Sequence, residues 1–356
     1  MLPLLLALTA PAQAFKVPAD SEGHLTPYLR AQVWGTAYDQ DENEQADPAG
    51  YGDPEDDVGF KLRRLRFGFT GDFDDFVFES TLGMSAPYDG VVTETGDLRI
   101  VDAWGGWKPT DWATISAGLQ RVPFTRENMT STGRMALQDV SLHSFHIAPG
   151  RDVGVLADFM KSGLRGEVGV FNGNDNLLGD DDAGLMYAAR LEYMMGGEHV
   201  EKAAYRTYGE VAAFTFGIGA GATYDNAIST NTLSYGGDII VRTGGLAVLL
   251  EGAMANITPT DSTVTAPGVL VDTSRLGYSA QVGYTVKNIE PVVRYEAFND
   301  DMDTVDQGDV QMVTAGVTAH IADDHIQAGA GYILRLESSD YAVSNDTLRL
   351  WFQFRY

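Results

Sequence analysis

From Leu25 onward, apolar residues recur at every second position rather than at every third or fourth. Leu65, Phe67 and Phe69 alternate with Arg64, Arg66, Gly68 and Thr70, and Leu185, Tyr187, Ala189, Leu191 and Tyr193 alternate with Met186, Ala188, Arg190 and Glu192. The same rhythm sets Ile326, Ala328, Ala330, Tyr332 and Leu334 against Gln327, Gly329, Gly331 and Arg335. A period of two belongs to strands with one apolar face and one face of polar and small residues.

Marking every such segment predicts sixteen strands: 24–38, 60–73, 75–86, 97–108, 111–122, 150–160, 163–172, 184–195, 210–224, 233–243, 245–257, 274–287, 289–299, 309–321, 324–336 and 345–356. Their connections alternate in length. Long ones at 39–59, 87–96, 123–149, 173–183, 225–232, 258–273, 300–308 and 337–344 are separated by tight turns such as Asp74, Lys161-Ser162, Gly244, Lys287-Asn288 and Ala322-Asp323. The connection at 196–209 is longer and breaks the rule. An even number of strands with long loops at one end and tight turns at the other is the plan of an outer-membrane barrel, not of a soluble sandwich. The fold class expected is therefore all-β, a sixteen-stranded antiparallel transmembrane β-barrel.

Charge chooses which face meets lipid. An arginine facing lipid at mid-membrane costs roughly 2–4 kcal/mol, so Arg165, Arg190, Arg242 and Arg294, each between apolar neighbours, are expected to point into a water-filled lumen. In a soluble barrel the two faces would exchange roles.

Composition narrows the chemistry. The 356 residues include 40 Gly, 16 Tyr, 16 Phe and no Cys, with a net charge of -26. Without cysteine there is no disulfide framework, thiolate metal site or cysteine nucleophile, and a polyanionic nucleic acid would be repelled. No run of 18 apolar residues is present, so a membrane-spanning helix is excluded. Leu2–Ala10 is apolar and leads into Pro11-Ala12-Gln13-Ala14, whose small residues fit signal-peptidase cleavage. Residues 1–14 are thus expected to be a signal peptide and 15–356 the barrel. At the other end Leu348, Leu350, Phe352, Phe354 and Tyr356 share one face, the form of terminal strand by which the barrel-assembly machinery recognises its clients.

Three stretches carry a family likeness: Arg64-Leu65-Arg66-Phe67-Gly68-Phe69-Thr70-Gly71, Asp102-Ala103-Trp104-Gly105-Gly106-Trp107-Lys108-Pro109, and Gly118-Leu119-Gln120-Arg121-Val122-Pro123-Phe124-Thr125-Arg126-Glu127. With Phe171-Asn172-Gly173-Asn174, the chain resembles the phosphate-selective porin O and P family. The resemblance implies a homotrimeric outer-membrane channel, in contact with lipid and lipopolysaccharide, whose third external loop folds inward to narrow the pore. Segment 123–149 occupies that place, so Arg126, Glu127, Arg134 and Asp139 are the expected constriction, with Met129, Met135, Leu137 and Leu142 available to pack on the wall.

Family members line the pore with basic residues that attract phosphate, and Arg30, Arg64, Arg66, Arg126 and Arg134 are candidates for such a ladder. Against this stand the overall acidity and a recurring Arg-x-Glu pattern: Arg165 and Glu167, Arg190 and Glu192, Arg294 and Glu296, Arg335 and Glu337. Residues two apart on a strand share a face. These pairs are expected to line the pore, as is Arg242, where rows of charge set ion selectivity. The acidic runs at Asp39–Asp57 and Asp175–Asp182 lie in loops, so the net charge need not describe the lumen.

Other chemistries find little footing. Asp39-Gln40-Asp41-Glu42-Asn43 opens like a calcium loop but has Glu44 where the sharp turn needs glycine. His143-x-x-His146 has metal-ligand spacing without an evident third ligand, and no nucleotide-binding or hydrolase motif is present. The function expected is a porin for passive diffusion of small hydrophilic solutes or ions, with no cofactor, no metal and no catalysis. A phosphate or polyphosphate channel, a plugged structural or adhesive barrel, and an outer-membrane hydrolase are the alternatives.

Overall fold

The computed structural model describes residues 15–16, 23–38, 59–85, 98–173, 184–196, 214–227, 230–260, 271–306, 308–322, 325–337 and 345–356. The segment 1–14, expected to be a signal peptide, and the acidic runs at 39–57 and 175–182 lie outside them. A two-residue strand, β1 (Phe15–Lys16), pairs with the start of β2. The barrel strands are β2 (His24–Tyr38), β3 (Gly59–Phe73), β4 (Phe76–Ser85), β5 (Arg99–Thr110), β6 (Ala113–Arg121), β7 (Arg151–Lys161), β8 (Leu164–Phe171) and β9 (Met186–Met195). The second half continues with β10 (Thr215–Asn226), β11 (Thr230–Thr243), β12 (Leu246–Pro259), β13 (Thr273–Tyr284), β14 (Ile289–Asn299), β15 (Val310–Ala322), β16 (Ile326–Glu337) and β17 (Thr347–Arg355).

Each barrel strand pairs antiparallel with its sequence neighbour, and β17 pairs back onto β2, with Trp351 opposite Trp34. Closure satisfies every ladder without leaving an edge, which is what hydrocarbon demands. Among the described residues these sixteen strands form one closed antiparallel barrel, with the ends close to their predicted positions except the start of β10, which is at Thr215 where 210 was expected.

The tight turns explain the hairpin geometry. Ser162-Gly163 has φ of 53° and 82°, and Gly244-Gly245 has 54° and 88°. Both central residues in the left-handed region make a turn whose twist matches that of paired strands.

The faces divide as charge required. Along β9, Leu191 is 58 % exposed on the outside while Arg190 and Glu192 are 3 % and 1 % exposed. Phe67, Phe69, Val168, Tyr187, Tyr193, Ile218, Leu250, Leu350 and Phe352 join Leu191 in an exposed apolar coat. The buried face carries arginine, carboxylates, glutamine and threonine, the order of a barrel dissolved in lipid.

The segment between β6 and β7 holds helix α1 (Arg126–Met129), a 3₁₀ turn at Thr132–Arg134 and helix α2 (Leu142–His146), and its apolar side chains pack on buried strand residues. Phe124, Leu142 and Ile147 cluster with Phe298, Val310, Met312 and Ile333; Met135 packs with Met194, Ile240 and Leu249; Ala136 and Leu137 pack with Trp34, Val292 and Trp351. Glycines on the strands make room for it: a Cβ on Gly277 would stand 2.6 Å from the His143 Cβ, and one on Gly221 would strike the Phe124 carbonyl.

Candidate functional site

Three charge clusters tie the segment 123–149 to buried strand residues. Arg126 Nε lies 2.9 Å from Asp238 Oδ1 and its Nη2 3.1 Å from Glu192 Oε2. Arg190 bridges the same two carboxylates, at 2.7 Å to Asp238 and 2.9 Å to Glu192, and donates to the Phe124 carbonyl. At the second cluster Arg294 lies 2.9 Å from Glu296 and 3.8 Å from Glu127. Glu296 accepts from the Leu142 N–H and Glu251 from the Glu127 N–H.

The third cluster surrounds Asp139, with Arg64 at 2.9 Å, Arg63 at 3.8 Å and Arg349 at 4.0 Å. Charge-assisted contacts hold its carboxyl below the ordinary range, outweighing the upward push of burial. Arg63 and Arg349 also stand over the Trp34 ring, at 5.0 and 4.0 Å from its centroid. Arg63 faces inward because of a β-bulge: Gln32 pairs with Arg64 and Val33 with Leu62, leaving Arg63 as the extra residue. Strict alternation would send it to lipid, so sequence reasoning missed it.

A glutamine belt runs beneath this cluster. Arg64 donates to Gln32, Gln32 to Gln353 and Gln353 to Gln327, whose Oε1 also accepts from Gln138 of the segment. The chain crosses β3, β2, β17 and β16 at one level because those residues are ladder partners.

On the side of β2–β8 lies an open cavity of about 710 Å³. Its walls carry the side chains of Arg30, Arg66, Arg121, Arg151, Arg165 and Arg355, and the segment adds Arg134. Against these seven guanidinium groups stand four carboxylates, Glu79, Asp102, Asp158 and Glu167, so the side chains around the cavity are net positive although the chain carries -26. The two signs are not evenly mixed. Arg151 grips both oxygens of Asp102, and Arg165 both oxygens of Asp158. On the opposite side Arg355, Arg30 and Arg66 are ladder partners on adjacent strands, forming a row at one level. Arg30 donates to Ser131 Oγ at 2.7 Å and Arg66 to the carbonyls of Leu65 and Met84.

The four residues expected at the constriction separate. Arg134 lines the cavity, whereas Arg126, Glu127 and Asp139 are enclosed in the clusters just described. Of the expected pore-lining residues, Arg30, Arg66, Arg165 and Glu167 reach the cavity. Arg64, Arg190, Glu192, Arg294 and Glu296 hold the segment. Arg242 is buried on β11, Arg335 donates to the Asn345 carbonyl and Thr347 Oγ1, and the Glu337 side chain lies outside the described residues. Arg121, Arg151, Arg355, Glu79, Asp102 and Asp158 were not expected to line the pore; they stand outside the Arg-x-Glu spacing, and register alone gathers them.

The two histidines of the His-x-x-His pair part. His146 packs edge-on to Phe145 and against Phe298, and burial, with Arg275 adding to it, lowers its pKa to about 4. His143 turns to Glu251, with Nε2 3.0 Å from Oε1. Glu127, His143 and Glu251 bring ligand-type atoms within 4.8 Å of one another. The acidic turn at 300–309 closes on itself, Asp301 accepting from the Asp303 N–H and Thr304 hydroxyl.

The family model for phosphate-selective porin O and P matches residues 40–356. The chain belongs to that family. This porin therefore forms a channel in the bacterial outer membrane. Among solved structures it resembles Salmonella typhi OmpF in complex with daunomycin, at 13 % identity and a TM-score of 0.63 over 94 % of this chain and 98 % of that one. It resembles outer-membrane-expressed OmpT of Vibrio cholerae at 11 % identity and 0.62, over 97 % and 100 %. The trimer form of in-vitro folded Vibrio cholerae OmpT matches at 12 % and 0.60, over 94 % and 99 %. Likeness at such identity is of fold alone. No curated protein sequence matches the chain significantly.

Proposed function

We propose that this porin passes small anions, phosphate among them, through the cavity beside β2–β8, and that the segment 123–149 lies within the barrel and sets the width of that passage. The row of Arg355, Arg30 and Arg66 carries the reading. Cations fixed side by side repel one another, so an anion entering between them is stabilised while a cation is repelled. Arginine also offers oxyanions paired donors. Across the cavity, arginines already gripped by Asp102 and Asp158 leave a more balanced wall. An anion and its hydration water thus meet a lateral field, not a uniformly basic tube.

The contacts that support an inward segment are those of Arg126 with Asp238, His143 with Glu251 and Gln138 with Gln327, all on buried strand faces. The proposal includes a homotrimer, by analogy with the trimeric OmpT, and contact with outer-membrane lipid and lipopolysaccharide. Leu348, Leu350, Phe352, Phe354 and Tyr356 are proposed as the handle for barrel assembly. Leu348, Leu350 and Phe352 face outward, while Tyr356 also borders the cavity.

Planar-bilayer recording in a potassium chloride gradient tests the reading. A reversal potential favouring chloride, with chloride current reduced by added phosphate, is expected. A preference for potassium would overturn anion selectivity, and silence from folded protein would favour a plugged structural barrel.

A further inference from the structure

Counting hydrogens at the second charge cluster shows a deficit. Ser141 Oγ contacts Glu127 Oε2 and lies 2.8 Å from His143 Nδ1, while His143 Nε2 lies 3.0 Å from Glu251 Oε1. Three polar contacts in a row need three hydrogens. The serine hydroxyl has one and a neutral imidazole one. If the serine donates to Glu127, Nδ1–H must donate to the serine, and a bare Nε2 lone pair is left facing a carboxylate. If the chain runs the other way, Glu127 itself must be protonated. With a neutral imidazole the row is one hydrogen short in either direction, and because all of these side chains are buried, the difference is made up by a second proton on His143, by a proton on Glu127 or by a metal ion.

We propose that Glu127, His143 and Glu251 bind one divalent transition-metal ion, zinc fitting best, and that the ion clasps the segment 123–149 to strand β12. The metal would be held by Nε2 and the two carboxylates, whose donor atoms lie within 4.8 Å of one another. Imidazole with carboxylates is a zinc donor set, with bonds of about 2.0–2.2 Å. The remaining hydrogens then suffice: Nδ1–H donates to Ser141, the ligand tautomer that an outer-shell partner enforces, and Ser141 donates to Glu127. Charge points the same way. Arg294 lies closer to Glu296, at 2.9 Å, than to Glu127, at 3.8 Å, and a divalent ion neutralises both Glu127 and Glu251 where a proton neutralises one.

The test uses the full-length folded porin, stripped with a chelator and titrated with zinc chloride. One zinc per chain by elemental analysis, an absorption-edge spectrum showing nitrogen and oxygen neighbours only, and a higher thermal-unfolding midpoint are expected. Glu251→Gln is expected to weaken zinc binding at least tenfold or so. Substoichiometric zinc with an unchanged midpoint in the native protein overturns the proposal, whether or not the variant folds, and assigns the deficit to a proton. None of these readouts measures ion selectivity, so this proposal and the anion reading fail separately.

Discussion

Arg30 and Arg355 are Cα partners across the seam where β17 closes onto β2, so two guanidinium groups from opposite ends of the chain share one level of the cavity wall. Their proximity is set by the register of the ladder that closes the barrel. Arg30→Gln keeps a donor for Ser131 Oγ, which accepts at 2.7 Å, and removes the charge. The chloride-to-potassium permeability ratio is expected to fall roughly twofold or more, because a fixed charge inside a low-dielectric wall is weakly screened. Reversal potentials measured on both proteins in the same gradient check this.

The facing of the strands predicts a sharp asymmetry along β9. Leu191 is 58 % exposed on the outer coat, and Leu191→Arg should destabilise the barrel by roughly 2–4 kcal/mol if it lies near mid-membrane. Urea titration of folding into lipid vesicles would read the difference. Equal stability of variant and native protein would contradict a lipid-facing position.

Asp238 balances two arginines at once, Arg126 at 2.9 Å and Arg190 at 2.7 Å, and all three are buried. Asp238→Asn leaves both cations with half their partner, a loss of about 3–5 kcal/mol for a broken buried pair. Because Arg126 belongs to the segment and Asp238 to the wall, the segment should loosen before the barrel does. Increased open-channel noise at unchanged strand content by circular dichroism is the expected signature.

His146 makes stability sensitive to acid. Its folded pKa of about 4 lies below the ordinary value of 6.5, through burial first and Arg275 second. A base depressed on folding binds its proton more readily once unfolded, so its contribution is complete above about pH 6.5 and declines as pH falls toward about 4. His146→Phe, which keeps a ring against Phe298, should remove that part of the slope. His143 works in the opposite sense. Burial opposes its charge, but the hydrogen bond to Glu251 and the fields of Glu251, Glu127 and Glu296 raise its pKa, so in metal-free protein its contribution is present at low pH and lost as pH rises through the raised value. Unfolding free energies of His146→Phe and of the native protein at several pH values separate the contributions of the two histidines.

The barrel itself was legible along the chain. Alternation of Leu185 to Tyr193 with Met186 to Glu192, arginine among apolar neighbours and the unequal loops specified strand number, facing and closure. Each is a local consequence of a period-two backbone in a solvent that tolerates no unpaired peptide group.

Roles inside the barrel were not legible in this way. Arg165 and Arg190 share the same Arg-x-Glu spacing, yet one faces the cavity and the other is enclosed beneath Phe124. Arg63 points inward because a bulge shifted its strand by one residue. His143 and His146, three positions apart, meet Glu251 and Phe298 on different strands. Spacing along a strand states which face a side chain joins, because the pleat is local. Which distant strand stands across from it depends on barrel closure, register and the course of one long segment, and those are properties of the folded whole.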